Sequence, residues 1–170
     1  MATTLILLYA SILVFGGYIA YITGLFGVPY SISESYYLIE KKYPHRGLKY
    51  LFTGFCWGAG FPLLPVWFET TPDNARFVVF FAVAALLFIG AAPKFKEKME
   101  GTVHFVSAGT CVIMAQLWCL SVAHTWYISL AAFVVFCSIP LFSKKKKWVF
   151  WIEIAAFLST YAAVFVKMFM

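Results

Sequence analysis

Residues 101–147 read GTVHFVSAGTCVIMAQLWCLSVAHTWYISLAAFVVFCSIPLFSKKKK. This run contains no Asp, Glu, Lys or Arg before the four lysines that close it. As one helix, its uncharged part would be about 65 Å long, whereas the hydrocarbon core of a bilayer is about 30 Å thick. The run must therefore fold back on itself. The polar break at residues 123–125 (AHT) is the best position for the turn, and predicts helices over about 102–122 and 126–141.

Similar apolar runs lie on both sides of this pair. No charged residue occurs before Glu34, and Pro29 and Pro93 limit the helices that precede them. The predicted membrane spans are about 4–26, 50–67, 77–92, 102–122, 126–141 and 148–169. The sequence therefore predicts an all-α fold, a polytopic integral membrane protein in which residues 1–170 form a single six-transmembrane-helix bundle.

The composition requires lipid as the solvent for much of the chain. Hydrophobic residues make up 63% of the sequence and charged residues only 12%. A soluble domain of this length could not bury so much apolar surface. The formal charge is +6, but the basic residues flank apolar segments. We therefore expect anionic lipid headgroups as partners of the basic loops, and no nucleic acid.

Basic residues are concentrated in every second loop. Eleven of the thirteen fall in the first, third and fifth loops, while Arg76 and Lys167 stand apart. The eleven are Lys41, Lys42, Arg46, Lys49, Lys94, Lys96, Lys98, Lys144, Lys145, Lys146 and Lys147. Loops rich in Lys and Arg stay in the cytoplasm. This distribution predicts cytoplasmic basic loops and both termini outside.

The first loop is long enough to have structure of its own. Its residues 31–34 (SISE) fit a capping box, with Ser31 as the N-cap and Glu34 at the third helical position. A short helix from Ser33 to about Lys42 would follow and lie in the membrane interface. The alternative is an irregular loop that contains a single helical turn.

The second predicted span contains a GxxxG pattern formed by Gly54 and Gly58. Glycines at this spacing let two helices approach closely. Packing inside the monomer and dimerisation both explain the pattern, and we favour the former. Pro62 and Pro65 follow in the same span, and we expect them to kink its outer half.

Few polar side chains lie within the spans, and two stand out. Glu153 is the one acidic residue inside a predicted span, and such a charge usually faces the bundle interior or a wet cavity. Attraction to Lys146 and to the dipole at the start of its own helix would also explain it. His104 shares a helix face with Ser107 near the cytoplasmic boundary, where it would suit proton exchange or be a simple interfacial side chain.

Several candidate residues share one predicted depth. Ser31, Ser33 and Glu34 of the first loop lie near the same membrane boundary as His104, Ser107 and Glu153. We therefore expect Ser33, His104 and Glu153 to converge on one polar pocket that opens to the cytoplasm. The sequence has no HExxH motif, no CxxC pair and no phosphate-binding glycine loop. We accordingly expect no metal and no cofactor.

Two short motifs resemble a known group of membrane proteins. The segment Pro29-Tyr30-Ser31-Ile32-Ser33 follows the first helix, and Val103-His104-Phe105 opens a later one. Both resemble features of the Frag/DRAM-type small six-helix membrane families. The resemblance implies a six-helix fold and points to Ser31, Ser33 and His104.

Three functions fit these features. The first is a small membrane protein whose cytoplasm-facing polar pocket binds or moves a lipid or small ligand. The second is an accessory or structural subunit that packs against a larger membrane-protein partner. The third is an intramembrane Ser/His hydrolase, with His104 as general base, Ser107 or Ser33 as nucleophile, and Glu153 or Glu34 as the orienting carboxylate.

The predicted topology can be tested by labelling single cysteines from outside the cell. Asp73→Cys and Lys145→Cys would be placed separately in a background that lacks the four native cysteines. A membrane-impermeant thiol reagent should label only position 73 in intact cells, because Lys145 belongs to a basic loop. Equal labelling of the two positions, or labelling of position 145 alone, would contradict this orientation.

Overall fold

The computed structural model describes residues 2–92, 97–143 and 146–170. Within these ranges the chain forms seven α-helices and no β-strand. They are α1 (Ala2–Phe26), α2 (Ser35–Lys42), α3 (Leu51–Glu69), α4 (Arg76–Ala91), α5 (Glu97–Leu117), α6 (Trp126–Phe142) and α7 (Trp148–Met168). A π-helical segment, Trp118–Val122, extends α5 to the predicted turn. The all-α prediction is confirmed, and every predicted helix is present.

Five of the helical segments are long and apolar enough to cross a membrane. They comprise α1, α3 with its preceding turn, α4 with its preceding turn, α5 from Thr102 with its π-helical extension, and α7. These lengths and compositions are those of a membrane-embedded helical protein. Helix α6 is also apolar but has only 17 residues, so a sixth span stays a prediction. Pro93, Lys94, Lys96, Lys144 and Lys145, which belong to two predicted basic loops, lie outside the described residues.

Five helices are arranged around a common interior. Helix α3 packs between α1 and α4, and α5 packs against α4 on its other side. Helix α7 completes the arrangement by contacting α5 and α1. On the α1 side, the hydroxyl groups of Ser11 and Tyr161 are 2.8 Å apart, and the rings of Phe15 and Phe157 stack at 4.8 Å. Helix α6 packs mainly against α7 from outside the group.

The tightest glycine contact joins α3 and α4 at Gly90. A Cβ atom on Gly90 would lie 2.7 Å from the Cβ atom of Cys56. Two hydrogen bonds hold the same contact, since the Thr53 hydroxyl donates to the Gly90 carbonyl at 2.7 Å and the Trp57 ring N–H donates to the Leu87 carbonyl at 3.1 Å. The absence of a side chain at Gly90 therefore allows α3 and α4 to lie this close together.

The GxxxG pattern contributes through one glycine only. A Cβ atom on Gly58 would lie 3.2 Å from the Val14 side chain, so Gly58 packs against α1 within the monomer. Nothing lies within 4 Å of the corresponding position on Gly54. Helix α3 continues through Pro62 and Pro65 to Glu69.

The predicted capping box does not start the helix, because α2 begins at Ser35 and Glu34 is its N-cap residue. Ser31 and Glu34 instead stabilise the turn before α2. The Glu34 N–H donates to the Ser31 hydroxyl at 3.1 Å, and the Tyr30 N–H donates to the Glu34 carboxylate. The second bond reaches one residue further back than in an ordinary capping box. The turn leads into α2, which is eight residues long. The hydroxyl groups of Ser35 and Tyr18 are 2.6 Å apart and fasten α2 to α1.

Substitution of Gly90 should reveal how tightly α3 and α4 are packed. Gly90→Ala should destabilise the protein by about 1–3 kcal/mol, because the added methyl group overlaps Cys56. Gly54→Ala is the matched control, since it adds the same group where nothing is within 4 Å. Thermal unfolding of both variants in the same detergent checks this. Equal melting temperatures for the two variants would contradict the close contact.

Candidate functional site

The first loop is attached to the start of α7 by two hydrogen bonds. The first N–H groups of any helix lack acceptors within that helix. In α7, the Phe150 N–H donates instead to the Tyr30 carbonyl at 3.0 Å. The Ile32 N–H donates to Oε2 of Glu153 at 2.6 Å. The loop backbone and the helix start therefore satisfy each other's polar groups.

Glu153 thus has a backbone partner in the first loop. The ion pairs found among the described residues join Lys49 to Glu40 and Arg76 to Asp73. The expected attraction of Glu153 to Lys146 therefore does not produce an ion pair. Ile32 is 3% exposed, so its N–H has little access to water and needs the carboxylate as acceptor. Glu153 holds the loop in place while remaining partly exposed itself.

A cavity of about 80 Å³ lies in the interior, bounded by α3, α4, α5, α7 and the turn before α2. Most of its lining is apolar, including Phe55, Leu86, Val112 and Phe157. Four facing alanines leave room for it because they contribute only a methyl group each. They are Ala82, Ala108, Ala115 and Ala156.

The polar groups of the cavity are concentrated at one end. Ser33, His104 and Glu153 all line it, on the turn before α2 and near the starts of α5 and α7. From there the lining continues along α5 to Ala115, about 16 Å away, and along α7 to Tyr161, about 12 Å away. The cavity is therefore elongated. The Glu153 carboxylate and the His104 ring lie at one end, and the walls beyond them are mostly apolar, apart from Thr160, Tyr161 and Trp67, whose buried ring N–H has no hydrogen-bond partner among the described residues.

Two hydroxyl groups further along the cavity are already used within the protein. The Thr160 hydroxyl donates to the Ala156 carbonyl at 2.8 Å. The Tyr161 hydroxyl is bonded to the Ser11 hydroxyl at 2.8 Å. Both residues line the cavity, but these bonds hold α7 to itself and to α1. The groups best placed to meet a ligand's polar head are those at the other end.

The structure brings three of the six candidate residues together. Ser33, His104 and Glu153 line the cavity, as expected. Ser31, Glu34 and Ser107 are not part of its lining. Ser31 and Glu34 stabilise the turn described above, and the Ser31 hydroxyl lies 3.0 Å from that of Ser33. The expected pocket was polar, whereas the observed one is largely apolar with a polar end.

Two cysteines also belong to the site, although neither was among the six candidate residues. Cys56 of α3 and Cys111 of α5 both line the cavity. Cys111 follows His104 by seven residues, which places the two on one helix face, and this spacing was the available signal. Cys56 had none, because its position depends on how α3 is rotated against α4.

Helix α5 is joined to α7 by a polar contact of Gln116. The Gln116 side-chain amide donates to the Ser159 hydroxyl at 3.2 Å. The two helices otherwise contact each other much less than the neighbouring pairs α4–α5 and α6–α7. The other two histidines, His45 and His124, are exposed.

Comparison with protein-family models, with curated proteins and with solved structures finds no match for this chain. The chemistry of the site therefore has to be argued from its own residues. Among the residues that the structure describes, no group of three or more His, Cys, Asp or Glu side chains is placed to hold a metal ion.

The role of Glu153 in holding the first loop leads to a prediction about stability. Glu153→Ala should destabilise the protein by about 1–3 kcal/mol, because it leaves the buried Ile32 N–H without an acceptor. Glu153→Gln keeps a side-chain oxygen in place and should cost much less. Hydrogen exchange at the Ile32 amide, together with the melting temperature, measures both effects. Equal losses in the two variants would mean that this hydrogen bond does not hold the loop.

Proposed function

We propose that this protein binds a single-chain amphiphile in its interior cavity, with the chain among the apolar walls and the head beside Ser33, His104 and Glu153. The observation that carries the proposal is an elongated, largely apolar cavity whose described lining has its carboxylate and its imidazole ring at the same end. An amphiphile has the same distribution of polar and apolar groups. Small-molecule sites are typically mostly apolar with a few polar groups that fix orientation.

The size of the cavity limits the ligand. One water-sized group needs about 10–15 Å³ of such space. A cavity of about 80 Å³ therefore takes about five to eight such groups in a row, comparable to a medium-length alkyl chain. A single chain of this length fills the cavity, whereas the second chain of a two-chain lipid would have to lie outside it. Alcohols, amines or acids with about eight carbons match it best.

We further propose six membrane spans, with α6 as the fifth, and the polar end of the cavity near the cytoplasmic boundary. The polar end lies beside the first loop and the starts of α5 and α7. In the sequence these segments contain or follow the basic clusters. The positive-inside rule supports a cytoplasmic position for such clusters, and both chain ends outside. A ligand could then enter from the cytoplasm or from the inner leaflet.

Binding is better supported than hydrolysis. A serine nucleophile needs a base within hydrogen-bond reach, and the base needs an orienting group. The Ser33 hydroxyl lies beside that of Ser31, and Glu153 accepts a bond from the Ile32 backbone. Both contacts stabilise the first loop. Ser107, the other candidate nucleophile, does not line the cavity.

Helix α6 is the feature that supports the alternative of an accessory subunit. Only Ser129 and Pro140 are buried in this helix. Its outer face exposes large apolar side chains such as Leu130, Val134 and Val135. Lipid would cover this face as well as a protein partner would. The cavity is therefore the more specific feature, and ligand binding remains our first choice.

Photolabelling with a diazirine derivative of octanol tests the proposed binding. The full-length protein, in phosphatidylcholine nanodiscs, should be labelled on the cavity-facing residues of α5 and α7, and excess octanol should suppress this labelling. Ala108→Phe should abolish the labelling, because Ala108 lines the cavity and a phenylalanine ring at this position would fill part of it. Val106→Phe is the matched control on the same helix, at a side chain that is 60% exposed.

The position of the label decides the result. The proposal is supported if cavity residues are labelled and excess octanol suppresses this labelling. The labelling should also persist in Val106→Phe and be lost in Ala108→Phe. Labels confined to outward-facing residues, or labels that excess octanol does not reduce, would show that the alcohol only dissolves in the bilayer around the protein and would overturn it. The melting temperature of each variant verifies that it is folded.

A further inference from the structure

The polar end of the cavity has an unbalanced charge character. Its described lining includes one carboxylate, that of Glu153, and neither lysine nor arginine. Oε2 of this carboxylate accepts the Ile32 N–H. For Oε1, no hydrogen bond or ion pair with any described residue is formed. One oxygen of the carboxylate is therefore held by the protein, and the other is left for a different donor.

Oε1 of Glu153 is not among the buried side-chain atoms that lack a partner, so it needs a hydrogen-bond donor once a ligand covers it. Burying a polar or charged group without a partner costs free energy, and the cost is larger for a charge. An ammonium group supplies up to three donors together with the opposite charge, and charge-assisted hydrogen bonds are stronger than neutral ones. An alcohol supplies one donor without a charge. A carboxylate or phosphate head would place a second negative charge beside Glu153 and repel it.

We propose that the cavity selects amphiphiles by a donor headgroup, and that primary alkyl amines are its preferred ligand class, ahead of alcohols and far ahead of fatty-acid anions. This inference rests on the binding function proposed above and names the chemistry of the head. The ammonium group would bond to the free oxygen of Glu153. The Ser33 hydroxyl, at the same end of the cavity, adds an acceptor for a second N–H.

His104 is the group that could reverse this preference. It lines the same end of the cavity, and an imidazolium ring would attract an anionic head. The donor-head proposal holds that Glu153 dominates. Its carboxylate already has one oxygen fixed by the first loop, which orients the other oxygen without further cost on binding.

Competition among three eight-carbon ligands tests the selectivity. Octylamine, octanol and octanoate would each compete with the diazirine octanol for the cavity of the full-length protein in phosphatidylcholine nanodiscs. Octylamine should compete at about tenfold lower concentration than octanol, as expected for one additional charge-assisted hydrogen bond. Octanoate should be the weakest of the three.

Glu153→Gln identifies the residue responsible. The variant keeps an oxygen for the Ile32 N–H but removes the charge, so the ratio between the competing concentrations of octanol and octylamine should fall from about ten to about one. Glu34→Gln is the matched control. Glu34 also accepts a backbone N–H in the first loop, from Tyr30, but does not line the cavity. The amine should keep its advantage in this variant. Because amines partition into the nanodisc equally with both variants, an advantage lost only in Glu153→Gln is due to binding in the cavity.

The outcomes separate this inference from the binding function. If octanol is not bound in the cavity at all, the binding function itself fails. If octanol binds and octanoate competes as well as octylamine or better, the donor-head inference is overturned and His104 becomes the determinant. An amine preference that survives in Glu153→Gln would overturn the assignment to Glu153, while the binding function stands.

Discussion

The attachment of the first loop to α7 is the contact on which the rest of the site depends. Residues 30–32 offer a carbonyl and an N–H to the start of α7, and the helix returns the Phe150 N–H and the Glu153 carboxylate. Backbone groups away from water must find partners inside the protein. This exchange satisfies both segments at once. It also places Ser33 and Glu153 at one end of the cavity.

The cavity results from uneven packing of the four helices α3, α4, α5 and α7 around it. Helices α3 and α4 are drawn together at Gly90, where a side chain would collide with Cys56. Helices α5 and α7 are joined mainly through Gln116 and Ser159. Alanines on α4, α5 and α7 face the space that remains. Close packing on one side and small side chains on the other together leave an elongated void with apolar walls.

Much of the fold could be predicted because it depends on local pattern and on the bilayer. Six apolar runs and the fold-back at residues 123–125 correspond to helices in the structure. The pairing of Ser31 with Glu34 could be predicted from its spacing, but α2 begins at Ser35 rather than Ser33, and the partner of the carboxylate is shifted by one residue. The common depth of Ser33, His104 and Glu153 was also readable. That these three residues are neighbours could not be predicted, because hydropathy does not reveal the order of the helices around the bundle.

Local sequence thus decided which residues form helices, where the chain turns and which polar groups lie at one level, since these follow from helix geometry and the cost of polar groups in lipid. Tertiary structure decided the rest. It chose Gly90 rather than Gly54 as the close contact, gave Glu153 the Ile32 N–H as a partner in place of Lys146, and brought Cys56 to the cavity. Each of these depends on how one helix is rotated against another, and side-chain packing across the whole bundle sets that rotation.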